Sequence, residues 1–334
     1  MSFNFSFYFA LFTVVGLIAV VLIGVGAHLQ FLFGVVIPYL AVLIFFVGLL
    51  YRVVKWARSP VPFRIPTTCG QQKSLPWIKY NKLESPFTNF WAAVRVALEV
   101  LCFRSLFRNT KVVLTKEGPK LSYFSDKWLW LGAIVFHYSF LIVLLRHLRF
   151  FTQPVPSFVQ LLEKVDGFFE IGVPGLFVSG VVLFVAVTYL LLRRITIPQL
   201  RYISLPADYF PLFTIMAIAF TGILMRYFFK VDIVAVKKLT LSLVTFHPEV
   251  PEGIGGLFYV HIFLVSVLFA YFPFSKLMHM AGVFLSPTRN LPNNSRAARH
   301  INPWNPVVKV HTYEEYEDEF REKMKAAGIP VEKE

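Results

Sequence analysis

The stretch GIGGLFYVHIFLVSVLFAYFPFSKLMH, residues 253–279, decides the fold of this chain. Residues 253–275 carry no Asp, Glu, Lys or Arg, and Lys276 follows them. A run of about 20 apolar residues is long enough to cross the hydrocarbon core of a bilayer as a helix. This run contains His261, and His279 lies just beyond its end. Because ionisable side chains inside a span are costly, both histidines call for a functional explanation.

Five other stretches have the same apolar character. The chain has 334 residues, of which 56% are hydrophobic and only 16% are charged. A soluble chain of this length would need more polar surface to cover its core. The sequence therefore predicts an all-α integral membrane protein, a bundle of six transmembrane helices. We expect these spans at residues 7–27, 29–51, 128–145, 171–192, 209–225 and 253–275.

The basic residues predict the orientation of the bundle. If both termini lie in the cytoplasm, the inner segments hold 26 Lys and Arg residues and the outer segments hold 7. Basic residues concentrate on the cytoplasmic side of membrane proteins, so the count favours a multi-pass protein of the cytoplasmic membrane with both termini inside. The same rule accounts for the net charge of +14 without any nucleic-acid partner.

The spans divide the chain into four parts. Residues 1–53 form two N-terminal transmembrane helices, and residues 54–126 form a cytoplasmic loop. Within that loop, residues 87–107 have the helical spacing of apolar residues that is typical of an amphipathic helix on a membrane or partner surface. Residues 127–285 form a four-helix core, and residues 286–334 form a cytoplasmic tail that ends in an acidic helical segment.

The third and sixth spans each carry two histidines, which the geometry arranges in two pairs. His137 and His147 are ten residues apart, and His261 and His279 are eighteen apart. At the rise of an α-helix these separations are about 15 and 27 Å. The two spans run antiparallel, so we expect an inner pair, His137 with His279, and an outer pair, His147 with His261. Eighteen residues make five whole turns, which would place His261 and His279 on one face of a continuous helix.

Paired imidazoles between facing helices are typical of haem ligation. Neutral histidine is a good axial ligand for haem iron, and a haem fits between the helices of a bundle. The pattern thus favours a dihaem cytochrome b with two haem b groups, although a proton path or a metal transport site would also use such histidines. The sequence contains no CxxCH motif and only two cysteines, which excludes covalent haem attachment and an iron–sulfur cluster held by this chain alone.

Two haems across a bilayer would form an electron path, which needs a lipid-soluble two-electron carrier such as a quinone. A quinol releases protons as it is oxidised, so its site needs a proton acceptor near a haem. Four polar residues lie close to the outer ligand His147 in sequence and are candidates for that site: Arg146, Lys164, Asp166 and Glu170.

Residues 125–290 resemble the gamma, cytochrome b subunit of respiratory nitrate reductase. The resemblance rests on both histidine spacings, on Val244-Thr245-Phe246-His247, and above all on Phe272-Pro273-Phe274-Ser275-Lys276-Leu277-Met278-His279. It implies that the four histidines bind two b haems, His137 with His279 at the inner haem and His147 with His261 at the outer haem. The family subunit has five spans, whereas this chain adds a first helix and a longer inner loop. Where the family carries a quinol-binding lysine, this sequence has Gly167 or Phe168.

Two further motifs resemble a narrower group. The stretch LCFRSLFRNTK, residues 101–111, and RHLRFF, residues 146–151, are similar to the cytochrome b (M) subunit of the sulfite-reduction-associated Dsr complex and of the Hdr-like menaquinol-oxidising complex. The resemblance implies menaquinone as a cofactor and a cytoplasmic iron–sulfur partner of the heterodisulfide-reductase type. It also implies further membrane and periplasmic redox subunits. A cytochrome b anchor of heterodisulfide or nitrate reductase, a proton or metal transporter and a passive anchor stay open as alternatives.

Overall fold

Six long apolar helices form the membrane bundle. The computed structural model describes residues 5–59, 70–114, 121–169, 175–286, 288–295, 297–298 and 310–333. All six predicted spans are present as helices of sufficient length and hydropathy: α1 (Phe5–Gly26), Leu32–Ala57, α5 (Lys127–Phe151), α7 (Val178–Thr196), α9 (Pro206–Tyr227) and Gly256–Phe274. The second span begins with a π-helical turn, Leu32–Val36, that leads into α2 (Ile37–Ala57). The helical membrane fold is confirmed.

Three of the spans have ends that differ clearly from those predicted. The second span continues to Ala57, beyond the predicted end at residue 51. Helix α5 continues to Phe151, so Arg146, His147 and Arg149 lie within a helix rather than beyond one. Helix α7 begins at Val178, later than the predicted start at residue 171, and residues 170–174 lie outside the described part of the chain. The apolar run before residue 178 therefore does not belong to the described helix.

The sixth span is broken, contrary to the expectation of one continuous helix. Helix α11 (Gly256–Tyr271) passes into a 3-10 turn over Phe272–Phe274, and Ser275 is then fully extended, with φ −117° and ψ 177°. Pro273 has no N–H to donate and disfavours helix in the residue before it. The Ser275 hydroxyl accepts a hydrogen bond from the Leu277 N–H and starts a new segment. His279 therefore lies on a separate segment rather than five turns along the helix of His261.

Shorter elements connect the spans. The described helices outside the membrane spans are α3 (Asn89–Cys102), α4 (Arg104–Phe107), α6 (Ser157–Asp166), α8 (Pro198–Ile203), α10 (Ile233–Val244), α12 (His279–Gly282) and α13 (Tyr313–Ala326), with 3-10 turns at Lys276–Met278 and Val283–Leu285. A short antiparallel hairpin of β1 (Thr110–Leu114) and β2 (Leu121–Ser125) precedes α5. Neither this hairpin nor the helix α10 was predicted from the sequence.

The bundle packs tightly at small residues. Helix α1 contacts α9 and α11, α2 contacts α11, and α5 contacts α7. A Cβ on Gly48 of α2 would lie 2.6 Å from the Cβ of Pro273, closer than such atoms approach. Glycine at this position thus lets α2 pack against the break that ends the sixth span.

The amphipathic segment of the inner loop is tied to α5. Helix α3 ends at Cys102, and the next residue, Phe103, takes the left-handed conformation with φ 50°. The last carbonyls of a helix lack partners within it. Here the Leu101 carbonyl accepts from the Tyr138 hydroxyl at 2.8 Å, and the Cys102 carbonyl accepts from the Trp130 indole N–H at 2.8 Å. These bonds fix the corner between α3 and α4 against the start of α5.

The beginning of the tail closes the same loop. The Asn293 amide donates to the Ser85 hydroxyl at 2.9 Å and its carbonyl oxygen accepts from the Gln72 side chain at 3.1 Å. The acidic end of the tail forms α13, as the sequence predicted, with Thr312 as its N-cap. In α13 the buried Glu317 accepts from the backbone N–H groups of Glu332 and Lys333, which lowers the pKa of its carboxyl.

Candidate functional site

Two histidines of α5 face two others, His261 on α11 and His279 at the start of α12. The ring centroids of the inner pair, His137 and His279, are 5.9 Å apart. Those of the outer pair, His147 and His261, are 6.3 Å apart. The structure thus brings together the same partners that antiparallel packing predicts. His279 is exposed, whereas the other three are half-buried.

Each histidine has its Nδ1 atom occupied by an acceptor. The Nδ1 atoms of His137 and His147 lie 2.8 and 2.7 Å from the Ala133 and Val143 carbonyls, one turn earlier in α5. The Nδ1 of His279 lies 2.9 Å from the Lys276 carbonyl. A carbonyl can only accept, so Nδ1 carries the proton in these three rings and Nε2 keeps its lone pair.

His261 reaches the same tautomer in a different way. Its Nδ1 lies 2.9 Å from the Thr221 hydroxyl oxygen, on α9. That hydroxyl lies 2.8 Å from the Ala217 carbonyl and 3.0 Å from the Ile218 carbonyl, and it directs its only hydrogen toward these two acceptors. Toward His261 the hydroxyl can therefore only accept, so Nδ1 is again the donor and Nε2 the free base. In its neutral form each of the four rings therefore presents Nε2 as a free base, which is the form that a metal requires.

The spacing within each pair fits an iron atom held between two imidazoles. A metal–imidazole bond of about 2 Å on each side, with about 1 Å from each nitrogen to its ring centre, gives centroids about 6 Å apart. Two donors also match the axial positions that a porphyrin leaves open. In the described part of the chain, no cluster of three or more His, Cys, Asp or Glu side chains could hold a bare metal ion. The donor set fits haem.

The two pairs differ in the relative orientation of their rings. The rings of His137 and His279 are nearly perpendicular, at 84°, and those of His147 and His261 are nearly parallel, at 11°. The ring of Phe103 also meets His137 edge-on at 5.0 Å. The corner between α3 and α4 thus reaches the inner pair directly.

A buried ion pair lies beside the outer pair. Arg146 precedes His147 on α5, and its Nε lies 2.8 Å from Asp166 Oδ2 at the end of α6. The Ser179 N–H and hydroxyl, at the start of α7, donate to the two Asp166 oxygens at 2.7 and 2.6 Å. Arg146 also donates to Ser179 at 3.1 Å. Burying a charge is costly without such partners, and this triad ties three elements together.

A second arginine completes the cluster. The guanidinium carbons of Arg146 and Arg226 both lie 3.8 Å from the ring centroid of Phe177. The negative faces of an aromatic ring stabilise cations at this distance. Arg226 donates to the Gly175 carbonyl at 2.9 Å, and the Phe177 N–H donates to the Tyr227 hydroxyl at 2.9 Å.

The residues predicted to bind quinone differ in their burial and are not all close together. Arg146 and Asp166 are buried together, Lys164 is exposed on α6, and Glu170 lies outside the described residues. Ser179, Phe177 and Thr221 were not predicted. Their contacts join residues far apart in sequence, and no local motif signals them.

The helical membrane fold agrees with the comparisons with known proteins. Residues 90–294 match the family model described as nitrate reductase gamma subunit. The chain belongs to this family.

Two relatives match most of the chain. The Hdr-like menaquinol oxidoreductase cytochrome b-like subunit of Archaeoglobus fulgidus is 50% identical over 283 residues, which cover 83% of this chain and 84% of the relative. The protein of the same description from Archaeoglobus profundus is 48% identical over 277 residues, which cover 81% and 82% of the two chains.

Proposed function

We propose that this chain is the dihaem cytochrome b subunit of a respiratory complex, passing electrons between membrane menaquinol and a cytoplasmic iron–sulfur partner. The observation that carries the proposal is the pair of facing imidazoles at each of two levels of the bundle, each with a free Nε2. The relatives, which are described as cytochrome b-like subunits of menaquinol oxidoreductases, support the same function.

The residues have distinct roles in this proposal. His137 and His279 hold the inner haem b, and His147 and His261 hold the outer haem b. When bound, haem supplies a reversible one-electron couple. The acceptors at each Nδ1 fix the ring orientation and make the imidazole a stronger donor, as partners of metal-ligating histidines do.

A groove beside the ion pair is the proposed quinone site. It has a volume of about 250 Å³ and is lined mainly by apolar side chains of α5 and α7, with Asp166 and Ser179 at its polar end. Quinone-like molecules are bound by such apolar clefts with a few polar groups. Asp166 would take up protons from the quinol, while Arg146 and the nearby Lys164 would orient it. Glu170 is retained from the sequence as a fourth candidate.

The corner between α3 and α4 is the proposed route to the partner. Phe103 at this corner contacts the inner ligand His137, and the adjoining Cys102 is exposed. A cytoplasmic iron–sulfur subunit of the heterodisulfide-reductase type, docked here, would lie beside the inner haem. Membership in such a complex also implies further membrane and periplasmic redox subunits and a role in sulfur or sulfite respiration.

The excess of basic residues in the inner segments supports the orientation of this path, with both termini in the cytoplasm. A reporter enzyme that is active only outside the cell, fused after Glu334, should therefore be inactive. A fusion of the same reporter to the loop at Lys230, between the fifth and sixth spans, should be active and serves as the control. The reverse pattern would exchange the inner and outer labels of the two pairs.

The central test is haem content. The purified chain should bind two b haems, both low-spin because each has two imidazole ligands, and a menaquinol analogue should reduce them. A pyridine haemochrome assay gives the count and stopped-flow absorption gives the reduction. Protein that is folded but free of haem would disprove the proposal and favour a transporter, while haem that menaquinol cannot reduce would point to another donor.

A further inference from the structure

The outer ligand His261 differs from the other three histidines in what orients it. The Nδ1 atoms of His137, His147 and His279 bond to backbone carbonyls three or four residues earlier in their own segments. No substitution of a side chain removes those acceptors. His261 instead takes its partners from a different helix, α9: the Thr221 hydroxyl, which is the side-chain acceptor, and the backbone carbonyl of Ile218 nearby.

We propose that Thr221 is a positioning residue that sets the ring plane and the redox potential of the outer haem. The proposal rests on the assignment of His147 and His261 as its ligands. Thr221 is 6% exposed, so water cannot readily take its place. Its hydroxyl is held by the Ala217 carbonyl, which leaves one lone-pair direction for the Nδ1–H of His261.

The residue after Thr221, Gly222, also lies close to the His261 ring. A Cβ on Gly222 would lie 3.5 Å from His261 Cε1, in van der Waals contact with the ring edge. Thr221 and Gly222 together therefore form a cradle on α9 that contacts the His261 ring through one hydrogen bond. The near-parallel arrangement of His147 and His261, at 11°, is the orientation that this cradle holds.

The hydrogen bond at Nδ1 of His261 should change the midpoint potential of the outer haem in a defined direction. An acceptor at Nδ1 draws the N–H proton away and makes Nε2 more basic, which stabilises Fe(III) over Fe(II). Loss of the acceptor should raise the midpoint potential of the outer haem. The electron paramagnetic resonance signal of a low-spin ferric haem also depends on the angle between its imidazole planes, so a ring that turns to a different acceptor changes that signal.

The test compares four forms of the full-length protein: the wild type, Thr221→Val, Thr221→Ser and Thr214→Val. Valine has the shape of threonine without its hydroxyl, and serine keeps the hydroxyl. Thr214 is a matched control, because it is fully buried on α9 two turns earlier and its hydroxyl bonds to the Phe210 carbonyl in the same way.

We expect Thr221→Val to shift the Fe(III)/Fe(II) equilibrium of the outer haem roughly tenfold toward Fe(II), a rise of about 59 mV for a one-electron couple. The inner haem should not change, and Thr221→Ser and Thr214→Val should both match the wild type. Spectroelectrochemical titration and electron paramagnetic resonance give the potentials and the ligand angle. Loss of the outer haem alone in Thr221→Val would also support the proposal.

The proposal would be overturned if Thr221→Val had wild-type midpoint potentials and an unchanged electron paramagnetic resonance signal from the outer haem. If the valine variant loses both haems, Thr221→Ala is judged by the same criteria. A wild-type protein without an outer haem would instead disprove the proposed function, so the two failures are distinguishable.

Discussion

Replacing His261 with alanine should abolish the outer haem and leave the inner haem in place. Only His147 would then face the iron, at a site where the structure gives two imidazoles 6.3 Å apart. His147→Ala should have the same result, while His137→Ala and His279→Ala should remove the inner haem alone. The measurement is haem content together with a redox titration, in which each variant should keep one of the two wild-type potentials.

His247 provides a matched control for these variants. It is an exposed histidine close to the sixth span, and its Nδ1 also lies near a backbone carbonyl, that of Thr245, at 2.7 Å. It has no imidazole partner of the kind that each ligand has among the described residues. His247→Ala should therefore retain both haems. If His137→Ala and His261→Ala lost the same haem, the proposed ligand pairs would be wrong.

The second large effect concerns the ion pair at the outer end of α5. Asp166→Asn should lower the free energy of unfolding by about 3–5 kcal/mol, because it leaves the buried Arg146 guanidinium without its counter-charge. The side chains of Arg146 and Asp166 are only 10% and 7% exposed, so water compensates little. Thermal unfolding of the haem-loaded protein measures the change. Lys164→Gln, on the same helix but exposed, should have little effect on stability and is the control.

A double variant separates the structural role of the pair from its proposed role with quinol. Arg146→Met with Asp166→Leu removes both charges, and such apolar replacements of buried ion pairs often preserve stability. We expect near-normal stability and haem content but slow haem reduction by a menaquinol analogue. Lys164→Gln should also slow the reduction. Normal rates in both variants would move the quinone site elsewhere in the bundle.

The sequence predicted the spans and the histidine partners because both depend on simple physical regularities. Apolar runs of sufficient length must cross the bilayer as helices. Antiparallel spans then determine which histidines can meet. The argument from five whole turns was wrong, since Ser275 breaks the sixth span, yet the pairing did not depend on it. His261 and His279 still lie beside their expected partners, His147 and His137.

The finer parts of the site could not be predicted because they arise from packing between distant segments. Arg146, Asp166 and Ser179 come from three elements, and nothing local in the sequence marks their contact. Thr221 precedes its partner His261 by 40 residues. A threonine in an apolar helix most often bonds to the backbone of its own helix, as Thr214 does. The presence of Thr221 in the sequence of α9 therefore does not indicate its second bond, to His261.

The hydrogen bonds of Asn293 can form only late in the synthesis of the protein. Asn293 lies 208 positions beyond Ser85 and 221 beyond Gln72, yet it is the partner of both. A chain emerges from the ribosome in sequence order. The inner loop therefore cannot form these two hydrogen bonds until four further helices have been synthesised and inserted. Only a chain whose last span has entered the bilayer can supply residue 293 on the correct side. Closure of the loop therefore marks a completed molecule, and a chain arrested before that point would leave the loop open to proteases.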